Sequence, residues 1–199
     1  MGTTSKIRLF VAIFPPFAVA EKLADVGRRL GEALPGEAVS RTALEKIHVT
    51  LHFLGGVEAG KVAGYEEALA KVCPATERFA LSVAGLGCFP GPRRPRILWA
   101  GIGGDLETLK SLRQGMEPDF VRLGYMPEDR PFHPHLTIGR VKDINPHASR
   151  SLIEALEKDQ QTDFGEWPVE RVDLMQSSLS QGGASYSVVK SFLLPQPAA

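Results

Sequence analysis

The chain has 199 residues, 43% of them hydrophobic, which is enough to bury a sizeable core. Its 23 basic and 23 acidic residues balance, which excludes a strongly basic surface that would hold long nucleic acids by charge alone. No apolar run has the length of a membrane span, and no signal peptide is recognisable, so we expect no membrane contact. Two cysteines without a close pair, Cys73 and Cys88, are expected to be reduced thiols, which indicates a cytoplasmic protein.

Hydrophobic periodicity predicts strands and helices in alternation along the chain. Apolar runs bounded by Gly or Pro predict strands at residues 7–14, 47–54, 79–86, 96–102, 135–141, 169–176 and 184–194. Apolar residues at helical spacing predict helices at residues 17–34, 59–72, 105–123 and 146–158. Residues 37–46 and 124–134 are predicted to be loops, and residues 181–183 are predicted to join the last two strands into a hairpin.

The order of these elements predicts one α+β domain over residues 1–199. Each half of the chain repeats a similar succession of strands and helices, and no Pro- or Ser-rich linker separates the halves. We therefore expect two lobes that line a common cleft, in a protein that is a monomer.

Two stretches of the chain share the pattern His-x-Thr-x. They are His48-Val49-Thr50-Leu51 and His135-Leu136-Thr137-Ile138, and their histidines lie 135 − 48 = 87 residues apart. In a strand, the His and the Thr two residues later point to one face, while the apolar residues between them point to the other. Each stretch therefore presents one imidazole and one hydroxyl to the same side. A spacing of this size suits two halves of one domain.

Paired imidazoles and hydroxyls suit chemistry at phosphorus. Near neutral pH, two histidines in one cleft can hold one proton between them, so one accepts a proton while the other donates one. This pairing suits in-line displacement at phosphorus, because the nucleophile loses a proton as the leaving oxygen gains one. Threonine hydroxyls can donate hydrogen bonds to the non-bridging oxygens. Neither stretch offers a Ser or Cys nucleophile, so water is the expected attacking group.

The motifs and their flanks resemble the 2H phosphoesterase superfamily, and within it the bacterial and archaeal RNA 2′,3′-cyclic phosphodiesterases, historically called 2′-5′ RNA ligases. The flanks that carry the likeness include Phe53-Leu54-Gly55 after the first motif, and Pro134 before and Arg140 after the second. The resemblance implies a bilobal α+β fold, with two pseudo-symmetric lobes of antiparallel sheet, helices packed outside and a central cleft. The motif strands would lie near residues 47–54 and 135–141.

The resemblance also implies an activity and the residues responsible for it. The reaction is the opening of an RNA-terminal 2′,3′-cyclic phosphate to a 2′-phosphate, without metal or cofactor and with a 2′-5′ ligase activity beside it. By motif position, His48 is the general acid that protonates the departing 3′ oxygen, and His135 is the general base that activates water. Thr50 and Thr137 hold the phosphate, and Arg140 is a further phosphate contact. The implied partner is an RNA 3′ end or a nucleotide that bears a 2′,3′-cyclic phosphate.

The alternation of strand residues leaves the positions of Arg140 and His52 open. Arg140 lies five residues after His135, so a regular strand would aim it away from the cleft unless a bulge or bend at Gly139 intervenes. His52 shares the face of His48 by parity, which suggests a substrate contact, although a tolerated polar position is the plainer interpretation.

One further stretch, Arg93-Arg94-Pro95-Arg96, also has two interpretations. It could contact RNA phosphates from an exposed loop, or it could simply be a solvated group of charges.

Two other functions fit the same pattern of residues. His48 with His52, and His133 with His135, could supply four imidazole ligands for a metal hydrolase, although both threonines would then be unexplained. Alternatively, the chain is a non-catalytic module that binds RNA ends or nucleotides. Activity that persists in excess chelator would exclude the metal hydrolase. Loss of turnover with intact binding, on replacement of a motif histidine, would exclude the binding module.

Overall fold

A computed structural model describes residues 6–32, 34, 38–142, 144–180 and 183–197 of the chain. In these residues the protein has nine β-strands and four α-helices, so it belongs to the α+β class. The strands are β1 (Lys6–Ile13), β2 (Val39–Arg41), β3 (Val49–Glu58), β4 (Phe79–Phe89), β5 (Ile97–Gly104), β6 (His135–Val141), β7 (Asp163–Val169), β8 (Arg171–Ser180) and β9 (Gly183–Leu193). The helices are α1 (Phe17–Glu32), α2 (Val62–Val72), α3 (Leu106–Arg122) and α4 (Pro146–Lys158).

Two of these strands differ from the sequence-based expectation. β2 lies inside the segment 37–46 that was expected to be a loop, where three residues pair with β6. β7 contains Gly165 and Pro168, which disfavour strands, but it is an edge strand, where the missing N–H of proline costs no ladder hydrogen bond. The final hairpin is confirmed, although β8 begins at Arg171 and residues 181–182 of its connection lie outside the described residues.

The strands form one sheet with two halves. In the described chain the order is β7-β4-β5-β6-β3-β1-β8-β9, with β2 also paired to β6, and all the pairings are antiparallel. Within each half, neighbouring strands of this order pair over five residues or more, but β3 and β6 meet at the single pair Val49 and Leu136. The sheet therefore consists of two lobes that are joined at the motif strands.

The helices are exchanged between the lobes. α1 follows β1 in the chain but packs against β2, β6 and β7 of the other lobe, next to α4. α3 follows β5, yet it packs against α2, and its Phe120 contacts the ring of His52 on β3. Each lobe therefore contains one helix that follows, in the sequence, a strand of the other lobe. None of the described helices has the length and apolar character needed to cross a membrane.

The two faces of the sheet have different surroundings. Leu9, Val11 and Ile13 of β1 belong to the main core, which also contains buried residues from all four helices. Phe10 and Ala12 lie on the opposite face, in a small cluster with Met175. We call this second face, which is turned away from the described helices, the open face.

Both cysteines are free thiols, in agreement with the expectation from the sequence. Burial raises the pKa of Cys73 to about 12, so its thiolate is not populated near neutral pH. The thiol of Cys73 therefore serves as a small apolar group of the core.

Candidate active site

The two motif strands are neighbours in the sheet. Val49 pairs with Leu136, and each motif histidine immediately precedes one member of this pair. Extending the antiparallel register by one residue in each direction sets His48 opposite Thr137, and Thr50 opposite His135. Val49 and Leu136 are buried in the main core. The two imidazoles and two hydroxyls are therefore presented together on the open face.

The two imidazoles are held in the same way. Nδ1 of His48 lies 2.7 Å from the carbonyl oxygen of Lys46, and Nδ1 of His135 lies 2.7 Å from the carbonyl oxygen of His133. A carbonyl oxygen can only accept, so Nδ1 carries the proton in both rings. In each histidine Nε2 is thus left as the nitrogen that can gain or lose a proton. In each motif, the backbone carbonyl group two residues before the histidine fixes this tautomer.

Each motif strand contains a β-bulge at the same position of the motif. The register of β3 with β1 shifts between Val11 and Ala12, which leaves Leu51 as the extra residue. The register of β6 with β5 shifts between Leu98 and Trp99, which leaves Ile138 as the extra residue. Both extra residues lie three positions after the motif histidine. A bulge of this kind reverses the alternation of the side chains that follow it. In β3 the reversal holds as far as Phe53, because a second shift of register leaves Leu54 as another extra residue.

The carbonyl oxygens at the two bulges are bound from outside the ladder. The carbonyl oxygen of Leu51 accepts a hydrogen bond from Nε of Arg113 on α3 at 3.0 Å, and that of Ile138 accepts one from the backbone N–H of Thr42 at 3.0 Å. A Cβ at Gly27 of α1 would lie 3.0 Å from the same Ile138 oxygen, so glycine permits this close approach of helix and strand. Contacts on the helix side of the sheet thus stabilise both bulges.

The first bulge places His52 on the face opposite to His48, so the expectation from simple parity is wrong. His52 pairs with Val11 of the core face and is only 1% exposed. Its Nε2 donates to the carbonyl oxygen of Arg113 at 2.8 Å, and its Nδ1 accepts from the hydroxyl of Tyr125 at 3.2 Å. Burial lowers the pKa of His52 to about 4. His52 is therefore a neutral core residue.

The second bulge turns Arg140 to the open face. Arg140 pairs with Ile97, which lies on the same face of β5 as Trp99, the partner of Thr137. The extra residue is Ile138, one position before Gly139, where the sequence left a bulge or bend open. The Arg140 side chain is exposed and lies on the same side of the sheet as the motif hydroxyls. In the other lobe, the equivalent residue after the bulge is Phe53, which is 47% exposed and stacks on Phe10.

Aromatic rings surround the two imidazoles, and sequence reasoning did not identify them as part of the site. The ring of His48 lies 5.0 Å from Phe10, 5.4 Å from Phe14 and 5.6 Å from Tyr186. The ring of His135 lies 5.1 Å from Phe89. Phe10 could have been found by alternation within β1, because it occupies the face opposite to Leu9 and Val11. Tyr186 lies on a distant strand and leaves no local signal.

The environment of His48 favours its neutral form in the ligand-free protein. Its pKa is lowered chiefly by burial and further by the nearby charge of His135, while the hydrogen bond to the Lys46 carbonyl opposes the shift. The influence of His135 places the two imidazoles within range of each other's charge. A proton on His135 therefore disfavours a proton on His48.

The four-imidazole metal site considered from the sequence is not assembled. It requires His52 beside His48, but the bulge at Leu51 places these rings on opposite faces of the sheet. Among the described residues, no group of three or more His, Cys, Asp or Glu side chains is arranged to hold a metal ion.

Solved structures share this architecture over nearly the whole chain. A protein from Thermus thermophilus superimposes with a TM-score of 0.80 at 26% sequence identity, over 96% of this chain and all of that one. LigT from E. coli, in a complex with 3′-AMP, superimposes with a TM-score of 0.74 at 25% identity, over 96% and 99% of the two chains. The chain therefore shares the fold of these two proteins.

Sequence comparison gives the same assignment. An RNA 2′,3′-cyclic phosphodiesterase from Methanothermobacter thermautotrophicus is 33% identical over 95% of this chain and 100% of its own length. One from Archaeoglobus fulgidus is 34% identical over 94% and 99% of the two chains. The family model of LigT-like phosphoesterases matches residues 13–99 and 104–186, which include both motifs. The chain belongs to the LigT-like phosphoesterase family.

Proposed function

We propose that the protein hydrolyses the terminal 2′,3′-cyclic phosphate of RNA to a 2′-phosphate without a metal ion. The observation that carries this proposal is the pairing of Val49 with Leu136, which brings two imidazoles and two hydroxyls to one face. Relatives that share about a third of their residues with this chain are RNA 2′,3′-cyclic phosphodiesterases. The 2′-5′ ligase activity, the monomeric state and the cytoplasmic location stay predictions.

In the proposed mechanism, water attacks phosphorus in line with the departing 3′ oxygen. Nε2 of His135 removes a proton from the water, and Nε2 of His48 gives a proton to the 3′ oxygen as its bond to phosphorus breaks. The hydroxyls of Thr50 and Thr137 donate hydrogen bonds to the non-bridging oxygens, where negative charge accumulates. After one turnover His135 holds the proton and His48 lacks it, so exchange with solvent restores the starting state.

The acid role of His48 needs the charge of the substrate. In the ligand-free protein burial lowers the pKa of His48, so the ring is neutral near pH 7. A negatively charged phosphate beside Nε2 favours the protonated imidazole and raises the pKa again. The aromatic rings around His48 strengthen this effect, because they reduce screening by water. Substrate binding thus favours the protonated imidazole of His48, which is the form that acts as the acid.

The direct test offers the protein a short RNA that ends in a 2′,3′-cyclic phosphate, in excess EDTA. We expect full turnover, with a product that carries the phosphate on the 2′ oxygen, identified by ³¹P NMR. Loss of activity in EDTA, restored by a divalent cation, would contradict metal-independent hydrolysis. A 3′-phosphate product would contradict the assignment of the leaving oxygen.

Arg140 provides a separate prediction about phosphate contact. Replacement of Arg140 by Ala should lower kcat/KM about 10- to 100-fold, because a hydrogen bond between charged groups contributes roughly 1.5–3 kcal/mol. Arg140→Lys should recover part of the loss, since it restores the charge without the planar guanidinium. Arg122→Ala on α3 is the matched control and should leave the rate unchanged. An unaltered rate in Arg140→Ala would make Arg140 a solvated residue.

A further inference from the structure

A basic pocket lies where the β4–β5 connection faces the start of α4. Its volume is about 420 Å³. The cationic residues that line it are Arg93, Arg94, Arg96, Lys142 and Arg150, and its apolar lining includes Pro95, Ile144, Pro146 and Ile153. None of the described lining residues is acidic or aromatic. The Ser149 hydroxyl donates a hydrogen bond to the Pro92 carbonyl oxygen at 3.3 Å, which ties the two walls together.

The charge of this pocket is local rather than general. The whole chain carries no formal net charge, yet five cationic side chains line this one hollow. Like charges around a concave surface create a positive potential that attracts an anion. Arg93, Arg94 and Arg150 are exposed and available to a ligand from solution. Guanidinium groups bind phosphate oxygens through paired hydrogen bonds, so a phosphate-bearing ligand fits the pocket.

Two segments of the chain lead from the catalytic pair to the pocket. The β4–β5 connection begins after Phe89, whose ring lies 5.1 Å from His135. Pro92 at the pocket rim follows three residues later, so at most about 11 Å of extended chain separates it from Phe89. Arg140 of β6 is turned to the open face, and Lys142, the first residue after β6, lines the pocket. Lys142 lies seven residues after His135, which is roughly 20 Å along an extended chain. A mononucleotide at the histidines would therefore be too short to fill both places, whereas a strand of several nucleotides would reach.

We infer that this pocket binds the backbone phosphates of the nucleotides that precede the cyclic phosphate, so that the protein prefers an oligonucleotide to a mononucleotide with the same cyclic end. The inference rests on the proposed function and extends it. Because the lining offers cations and apolar carbon but no ring for stacking, the pocket selects the backbone and is indifferent to base sequence. It also gives a role to the Arg93-Arg94-Pro95-Arg96 run.

The test compares two substrates in one variant. Adenosine 2′,3′-cyclic phosphate reaches only the histidines, whereas an eight-nucleotide RNA with a 2′,3′-cyclic end also reaches the pocket. In the variant Arg93→Ala/Arg94→Ala/Arg150→Ala, kcat/KM for the RNA should fall by about tenfold or more at low salt, because each lost phosphate contact weakens association. The rate with the mononucleotide should stay within about twofold of the wild type, since phosphate contacts position the strand but leave the chemistry unchanged.

A matched control removes the same amount of charge elsewhere. Arg28→Ala/Lys110→Ala/Arg122→Ala replaces three helix residues that pair with neighbouring carboxylates, and it should leave the preference for RNA intact. Equal losses with both substrates in the pocket variant, or the same selective loss in the control, would overturn the inference.

Binding without turnover separates this inference from the proposed function. The affinity of a fluorescent eight-nucleotide RNA with a 2′-phosphate end is measured by anisotropy over a range of salt concentrations. Loss of three contacts should reduce the slope of log K against log salt by about 2, at roughly 0.7 per contact for a single strand. If the wild type hydrolyses neither substrate, the proposed function is wrong. If the slope is unchanged in the pocket variant, the inference that the pocket binds backbone phosphates is wrong.

Discussion

Replacement of His135 by Ala should lower kcat/KM for an RNA with a 2′,3′-cyclic end by at least about 100-fold, the usual contribution of a positioned general acid or base. The same loss is expected for His48→Ala, because each ring supplies one of the two proton transfers. The double variant should be little slower than either single one, since the two rings act as a unit. Steady-state rates with a fluorescent RNA measure all three.

Matched controls are available next to each ring. His133→Ala and Lys46→Ala remove side chains but keep the backbone carbonyl oxygens that hold Nδ1 of His135 and His48. Both controls should retain a rate near that of the wild type. Affinity for the 2′-phosphate product should persist in the histidine variants, because the hydroxyls remain. A rate loss below about tenfold in His48→Ala and His135→Ala would support the binding-module alternative instead.

Acid should destabilise the folded protein through His52. The pKa of His52 is about 4 in the folded protein and about 6.5 in an unfolded chain. Between these pH values the unfolded chain binds a proton that the folded chain does not, so the free energy of unfolding falls as pH decreases from 6.5 to 4. The stabilisation is complete above pH 6.5, and about 3 kcal/mol of it is lost by pH 4. Urea unfolding at pH 7 and pH 4.5, followed by circular dichroism, measures the difference.

The variant His52→Gln isolates this effect. A glutamine amide can donate to the Arg113 carbonyl oxygen and accept from the Tyr125 hydroxyl, but it does not titrate. Between pH 7 and pH 4.5, the free energy of unfolding should therefore fall less in His52→Gln than in the wild type. The difference should be most of the loss that His52 causes in the wild type. His147→Gln, at an exposed position of α4, should behave like the wild type. An identical pH dependence in wild type and His52→Gln would contradict the assignment.

The parts of the fold that depend on local periodicity could be predicted from the sequence. The apolar residues at 49, 51, 136 and 138 mark the buried side of both motif strands, so the common face of each His and Thr followed directly. The bulges could not be predicted, because one extra residue changes the pairing with a distant strand and leaves no mark in composition. This single feature explains both the error at His52 and the open question at Arg140.

The remaining differences also come from tertiary context. The sequence of β7 does not favour a strand, because it contains Gly165 and Pro168. β7 nevertheless pairs with β4, and its apolar residues Phe164, Trp167 and Val169 are buried. The packing of Tyr186 against His48 joins residues 186 − 48 = 138 positions apart. Neither contact follows from propensity, because both depend on where the sheet brings distant segments together.

The exchange of helices between the lobes has a consequence for biosynthesis. β1 lies between β3 and β8, so one lobe cannot close until β8 and β9 have left the ribosome. Most partners of α1, which are β6, α4 and β7, are likewise made only in the last third of the chain. Contacts of such long sequence separation make folding slow and cooperative. A nascent chain cut before Leu193 should therefore yield neither a working half nor a partial enzyme, and premature termination should leave only a substrate for proteolysis.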